Sequence, residues 1–524
     1  MKQQNVLTGA IILTVNSFII RIIGFVFRIY LSGTVGAEGM GIYQLVLSLY
    51  MLVANLGTAG ISIAVSRLVA EQLAVGHSSD ARHTIRSAVV LSLLISCTAG
   101  IILWIFAEPL ALYVLKDTRT LLSLRILAPS IPFMAVASCY KGYFFAVRDT
   151  LRPAASQLVE QLVKMACIIG CMGYCLPKGL AVTCAGIVFG MTVSEVVSLL
   201  FVFILYRTGK RPVRDGVVYD RHISRKILAI SVPLALSAVL TSSLRLMENV
   251  LIVDGFRKFG VDESVATGAY GMLKGMAMPL LFFPSSILSA LAVTLIPDVS
   301  AARARGDDAA VSRTVSTVLQ VTTLLSIPVV GIFLVFPMEL GTVIYQDAQV
   351  GQMLRALSFI CPFMYIEMVI GGILNALDEQ VSTMAYNVTD SVLRIALIWI
   401  LVPRAGMEGF LFIIILSNLF TAVLKLRRLL KITRVSFKFR NWMLYPVMAA
   451  AAGSLTARLC CQKMTGFIPL PLNLILGCCL IIGVYFIFLL VLGCVGKNEI
   501  DWVLGRLKRR RPRQHAPTEA IDLE

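Results

Sequence analysis

Apolar residues come in blocks of eighteen or more along this chain, and charged residues gather between the blocks. As a helix, each block is long enough to cross about 30 Å of hydrocarbon. The blocks fall near 8–32, 41–65, 87–106, 121–146, 154–176, 180–206, 227–253, 266–296, 314–336, 353–375, 384–402, 405–424, 442–461 and 470–493, and are numbered here as spans one to fourteen. The pattern predicts an all-α polytopic membrane protein. The opening MKQQNVLTGAIILTV has no small-residue cleavage site before polar sequence, so it reads as part of the first span and not as a removed signal.

Composition agrees with this class. Of 524 residues, 58% are hydrophobic and 15% charged, and the mean hydropathy is +0.84. The net charge of +18 could point to nucleic acid, but the placement of the cations says otherwise. With a cytoplasmic N-terminus, the inside segments hold 31 Lys and Arg and the outside loops hold 7. That asymmetry predicts an even number of spans, both termini in the cytoplasm, and contact between the basic edges and anionic membrane lipid. No nucleic-acid partner is expected. The 12 cysteines lie mostly within apolar spans and form no C-x-x-C, so they read as reduced small hydrophobes.

One constant offset in numbering relates the two halves. It pairs Gly41 with Gly271, Gly76 with Gly306, Phe106 with Phe336, and Pro132-Phe133 with Pro362-Phe363. It goes on through Arg125 and Arg355, Gly142 and Gly372, Glu160 and Asp390, Lys164 and Arg394, and Gly179 and Gly409. Six spans per repeat is an even number, so the copies share one orientation and should be related by an axis along the membrane normal, with a cavity between them. The expected organisation is a first lobe at 1–225, a second at 226–432, an appendage of spans thirteen and fourteen at 433–495, and a basic cytoplasmic tail at 496–524.

Two six-helix lobes suit alternating access better than catalysis. The four histidines (His77, His83, His222 and His515) fall in predicted loops or the tail, so a histidine-based catalytic or metal site inside the membrane is not expected. There is no G-x-x-x-x-G-K-[ST] and no G-x-S-x-G. The chain reads as a non-enzyme without a cofactor.

Charges inside the spans need a partner, a cavity or a ligand, because each costs about 2.5–3.5 kcal/mol or more near the bilayer centre. In span one, Arg21 lies near the middle and Arg28 near the outer end, seven residues apart and so on one helical face. Arg28 is either a cavity contact or a snorkelling anchor. Span seven carries Arg245 and Glu248 at a spacing that allows a self-neutralised pair. Span eight carries Lys274 with no acid within four residues, followed by Pro279 and Pro284, which predict a kink. Glu160 with Lys164, and Asp390 with Arg394, are i, i+4 pairs expected to be structural. Glu195, Glu367 and Glu248 are the candidates for coupling to protons or sodium, with membrane potential as the other candidate driving force. Arg21, Arg28, Arg245 and Lys274 outnumber nearby acids and are the expected substrate-binding cations. Guanidinium groups suit phosphate and pyrophosphate, so an anionic substrate is expected.

RIIGFVFRIYLS (21–32), followed by VGAEGMGIYQLVLSLYMLVANLGTAGISIAVSRLVAE (35–71), resembles the sporulation proteins in the polysaccharide-transporter branch of the multidrug/oligosaccharidyl-lipid/polysaccharide exporter superfamily. The resemblance covers most of the chain. It implies a flippase for lipid-linked oligosaccharide or peptidoglycan precursors of the undecaprenyl-pyrophosphate type. It also implies alternating access, a bacterial cytoplasmic membrane, a role in spore-cortex synthesis, and a partnership with cell-wall synthesis machinery. The related lipid II flippases have an arginine-glycine-phenylalanine pattern in their first helix, which Arg21, Gly24 and Phe25 resemble. Their eighth-helix arginine stands five residues before a proline, where this chain has Lys274 before Pro279. Their second-helix arginine has no counterpart in LVANLG (52–57). A cation-coupled multidrug exporter of the same fold, an integral-membrane glycosyl or acyl transferase and a non-transporting cell-wall scaffold are the alternative readings.

Overall fold

The computed structural model describes residues 6–75, 78–209, 222–433, 435, 439–464 and 467–493. The chain is all-α, a multi-pass membrane protein built of two pseudo-symmetric lobes and two further C-terminal helices. Among the described residues, ten helices are long and apolar enough to cross a membrane. The difference from fourteen lies in how the rods are joined. Spans one and two form a single helical run, Val6–Thr58, interrupted at Gly36, where φ is +69°. Spans eleven and twelve form Gln380–Thr433, interrupted at Gly406, where φ is +54°. Both breaks use the left-handed region that glycine enters without steric cost. Span four is bent by 43° between Thr118–Leu127 and Ser130–Ala146. Span eight is broken into Glu263–Tyr270, Gly271–Ala277, Met278–Phe282 and Ser285–Ala304. Divided this way, the elements are consistent with fourteen passages. The kink expected from Pro279 and Pro284 is present as a helix break at Phe283–Pro284, where a proline cannot supply the next amide donor.

The backbone repeats itself at the same offset as the sequence. Lys116 and Gln346 both sit in the left-handed region, at φ 55° and 57°, and so do Arg148 and Asp378, at 58° and 63°. The carboxylates of Asp117 and Asp347 cap equivalent turns, accepting from the amides of Arg119 and Gln349. Bulky residues rarely enter that region, so two coincidences at the repeat offset mark a duplicated backbone, with no glycine needed to preserve it.

Spans two and eight meet where the halves touch. A Cβ on Gly41 would run into the Thr267 carbonyl, and one on Gly271 into the Ala37 carbonyl. Ala37 and Thr267 are themselves repeat-equivalent, so this contact is reciprocal and the pseudo-twofold axis passes beside it. Spans thirteen and fourteen rest on span nine. Ser454 packs against Gly331, and the Tyr485 hydroxyl donates to the Leu324 carbonyl at 2.8 Å. Small residues let these helices approach closely where lipid supplies no hydrophobic drive for association.

Candidate functional site at the lobe interface

Span one brings Arg21, Phe25 and Arg28 to one face, at i, i+4 and i+7. The Phe25 ring stacks on Phe283 of span eight, with centroids 4.5 Å apart and planes 27° apart, which ties the two halves together. Arg21 is exposed on this face, whereas Arg28 is half-buried. Arg28 lies within electrostatic reach of Tyr43 on span two, Lys164 on span five and Tyr345 of the second half. Its surroundings thus include groups from both halves of the chain.

The second-half charges are organised around Glu248. Lys274 lies in a π-helical segment, Gly271–Ala277, whose wider turn is common at functional sites. Its Nζ is 3.1 Å from Glu248 Oε1, and Arg394 Nη1 approaches the same oxygen at 3.4 Å. Arg394 also donates to Asp390, whose other oxygen accepts from the Ser417 hydroxyl at 2.5 Å. Among the described residues, Arg394 Nε is buried with no hydrogen-bond partner. This geometry differs from one expectation and completes another. Glu248 does not close a pair with Arg245 on its own helix: Arg245 is exposed, and Glu248 turns inward to spans eight and eleven. Lys274, without an acid on its own helix, has one supplied from span seven.

The first half differs again. Glu160 does not pair with Lys164. Its Oε2 takes Lys141 Nζ of span four at 3.2 Å and the Ser198 hydroxyl of span six at 2.9 Å. Among the described residues Lys164 makes no ion pair within 4.0 Å, although it feels Glu160, Glu195 and Arg28. Glu195 faces this same group from span six. In the second half, Glu367 of span ten pairs with the buried Lys425 at 2.8 Å. Lys425 occupies the position equivalent to Glu195, so the two lobes carry opposite charges there. Lys141 lies near the end of span four, and the helix of span twelve continues past its apolar block to carry Lys425, so both lysines are brought inward. For Lys425 the signal in the sequence was the offset, which sets it against Glu195, whereas the same offset sets Lys141 against Gly371 and gives no signal.

One end of the interface is closed by polar contacts between the halves. Lys116 Nζ meets Asp254 Oδ1 at 2.6 Å, and Arg257 Nη1 donates to the Lys116 carbonyl at 2.7 Å. Deeper along spans two and seven, Asn55 donates to the Ser242 hydroxyl at 2.7 Å. In the turn between spans ten and eleven, hydrogen bonds from Arg428 and then Ser382 hold the Glu379 carboxyl below the ordinary carboxylate range.

A family model described as polysaccharide biosynthesis protein matches residues 6–303. Stage V sporulation protein B of Bacillus subtilis (strain 168) is 24% identical, over 97% of this chain and 99% of its own length. A solved structure of the lipid II flippase MurJ in an inward closed conformation superposes with a TM-score of 0.69 at 15% identity, covering 94% of this chain and 99% of that one. An inward-facing multidrug resistance MATE transporter superposes with a TM-score of 0.62 at 16% identity, over 82% of this chain and all of the other. The fold is shared with these solved transporters, and the matched model, over more than half of the chain, establishes that this chain belongs to the polysaccharide biosynthesis protein family.

Proposed function

We propose that this protein is a flippase that carries lipid-linked oligosaccharide or peptidoglycan precursors across the cytoplasmic membrane by alternating access, in spore-cortex or cell-wall synthesis. The observation that carries this reading is the surplus of fixed cations at the junction of the lobes. Arg21, Arg28 and Lys164 lie in the first half beside Glu160 and Glu195, while in the second Lys274 and Arg394 share the carboxylate of Glu248, Arg394 also pairs with Asp390, and Arg245 lies exposed on the Glu248 helix. Names of related proteins, a sporulation protein and a lipid II flippase, support a lipid-linked anionic cargo.

In this reading Glu248 is a stand-in anion. With the cavity empty it neutralises Lys274 and Arg394, which would otherwise repel one another in a low-dielectric site. A pyrophosphate entering between the lobes competes for those donors, and its charge-assisted hydrogen bonds replace the carboxylate's. The lipid tail stays in the bilayer. The excess of positive residues at the other end of the bundle makes the end sealed by Lys116 and Asp254 the outer one, and the cargo then enters from the cytoplasmic side. Glu195 and Glu367 are the positions at which a proton or sodium would act as the driving ion.

Proteoliposomes holding a fluorescent undecaprenyl-pyrophosphate-linked glycan test this, with dye quenching from outside reporting translocation. Translocation by the wild type, lost in Lys274→Ala at equal protein content, is the expected result. Full activity in Lys274→Ala removes that residue from the site. Failure to move any lipid-linked glycan, with or without a membrane potential, overturns the function.

A further inference from the structure

Away from the lobe interface, a second cationic cavity of about 300 Å³ opens at one end of the first lobe. It lies where four helix ends converge: the starts of Ser78–Ile105 and Leu151–Cys175, and the ends of Ser130–Ala146 and Leu180–Thr208. Four arginines line it, Arg82, Arg86, Arg152 and Arg207. The acid beside them is Asp149, 3.2 Å from Arg152. Among the described residues no ion pair within 4.0 Å joins Arg82, Arg86 or Arg207 to a carboxylate, and Arg82 Nε is buried with no hydrogen-bond partner.

Four guanidinium groups around so small a cavity repel one another unless an anion joins them. Aromatic rings hold two of them in place. Arg152 lies over Phe144 and Arg207 over Phe203, each 5.2 Å from the ring centroid. Stacked guanidinium groups keep their planar forks free for phosphate oxygens. Tyr206 buttresses the wall, packing edge-on against Tyr143 with centroids 5.1 Å apart. The other wall is apolar: Val89 and Val90 line the cavity, and Val90 is exposed on the helix surface. A phosphate held by the arginines would therefore sit at the ends of the spans, with apolar surface running from it toward the hydrocarbon.

We propose that this cavity binds the phosphate headgroup of an anionic phospholipid, whose acyl chains lie along the Val90 side of the first lobe. The site is separate from the proposed cargo site and does not depend on it. Its chemistry is that of basic pockets between membrane helices, which recognise lipid phosphates by charge-assisted forks. Phosphatidylglycerol and cardiolipin are the probes.

Native mass spectrometry of the full-length protein, released from phosphatidylethanolamine nanodiscs doped with either probe as a minor component, reads the retained lipid directly. Retention of one anionic lipid by the wild type, reduced about tenfold in Arg86→Gln/Arg207→Gln, is expected, a factor equivalent to about 1.4 kcal/mol. Both residues are exposed, so this variant keeps its fold, as an unchanged melting temperature in pure phosphatidylethanolamine verifies. Arg82→Lys, which keeps the charge and loses the fork, should fall between the two. Equal retention by wild type and the double variant overturns the proposal. So does displacement of the lipid by millimolar inorganic phosphate, which would make the cavity a free-anion site.

Discussion

Gly41 and Gly271 are distant in the chain and packed against each other in the fold, each so close to the other's helix that a Cβ would strike a backbone carbonyl. Because they are repeat-equivalent, the contact lies on the axis about which the halves are related. A larger residue at either position must hold spans two and eight apart. We expect Gly41→Val or Gly271→Val to cut translocation by tenfold or more, about 1.4 kcal/mol of barrier. Zero-length carbodiimide cross-linking of Lys116 to Asp254, which are in contact in the parent, should be weaker in either background, because spans two and eight are held apart and that contact opens. Unchanged cross-linking and unchanged transport would remove the role given to this contact.

Glu248 and Lys274 carry opposite expectations. Lys274→Ala leaves Glu248 paired to Arg394, so membrane abundance should stay within about twofold while translocation is lost. Glu248→Gln leaves both cations without their shared carboxylate. Cargo should then bind more tightly and leave more slowly, lowering half-saturation and turnover together. Titrating the cargo against initial rate separates the two. A Glu248→Gln protein with weaker cargo binding would contradict the stand-in role.

Glu367 and Lys425 distinguish a structural pair from a coupling site. Lys425 is almost fully buried, and removing its partner alone should destabilise the protein by about 3–5 kcal/mol. Glu367→Gln is therefore expected to lower the melting temperature and the yield. Glu367→Gln/Lys425→Met should restore both, since replacing a buried pair by apolar groups is often neutral or better. If the doubly substituted protein is stable and still translocates, Glu367 is not the coupling acid. If it is stable and inert, coupling through Glu367 stands.

The turn at Glu379 has a definite pH signature. Arg428 and Ser382 hold its carboxyl below the usual value near 4.3, so the folded state favours the charged form. The stability it contributes is fully present above that unfolded value and is lost as pH falls through the lowered folded value. Glu379→Gln should thus lower the melting temperature at neutral pH and show a shallower decline on acidification than the wild type. Parallel acid profiles for the two proteins would argue against the clamp.

Hydrophobic patterning by itself determined the membrane class and the number of apolar blocks, because insertion into lipid acts on composition over about twenty residues and needs no tertiary information, and residue identities at one constant offset showed the duplication. The repeat offset even anticipated backbone details, since Lys116 with Gln346 and Arg148 with Asp378 repeat the same left-handed turns. The charge partners were another matter. A spacing of three or four residues finds contacts along one helix, and it found Asp390 with Arg394. It could not find Glu248 with Lys274, Glu160 with Lys141 or Glu367 with Lys425, because each joins different spans. A buried ion must satisfy its charge with whatever the neighbouring helix presents, and which helix is the neighbour is decided only when the lobes pack. The same packing set Arg28 within electrostatic reach of Lys164 and Tyr345, left Arg21 exposed, and gathered four arginines from three helices around one cavity.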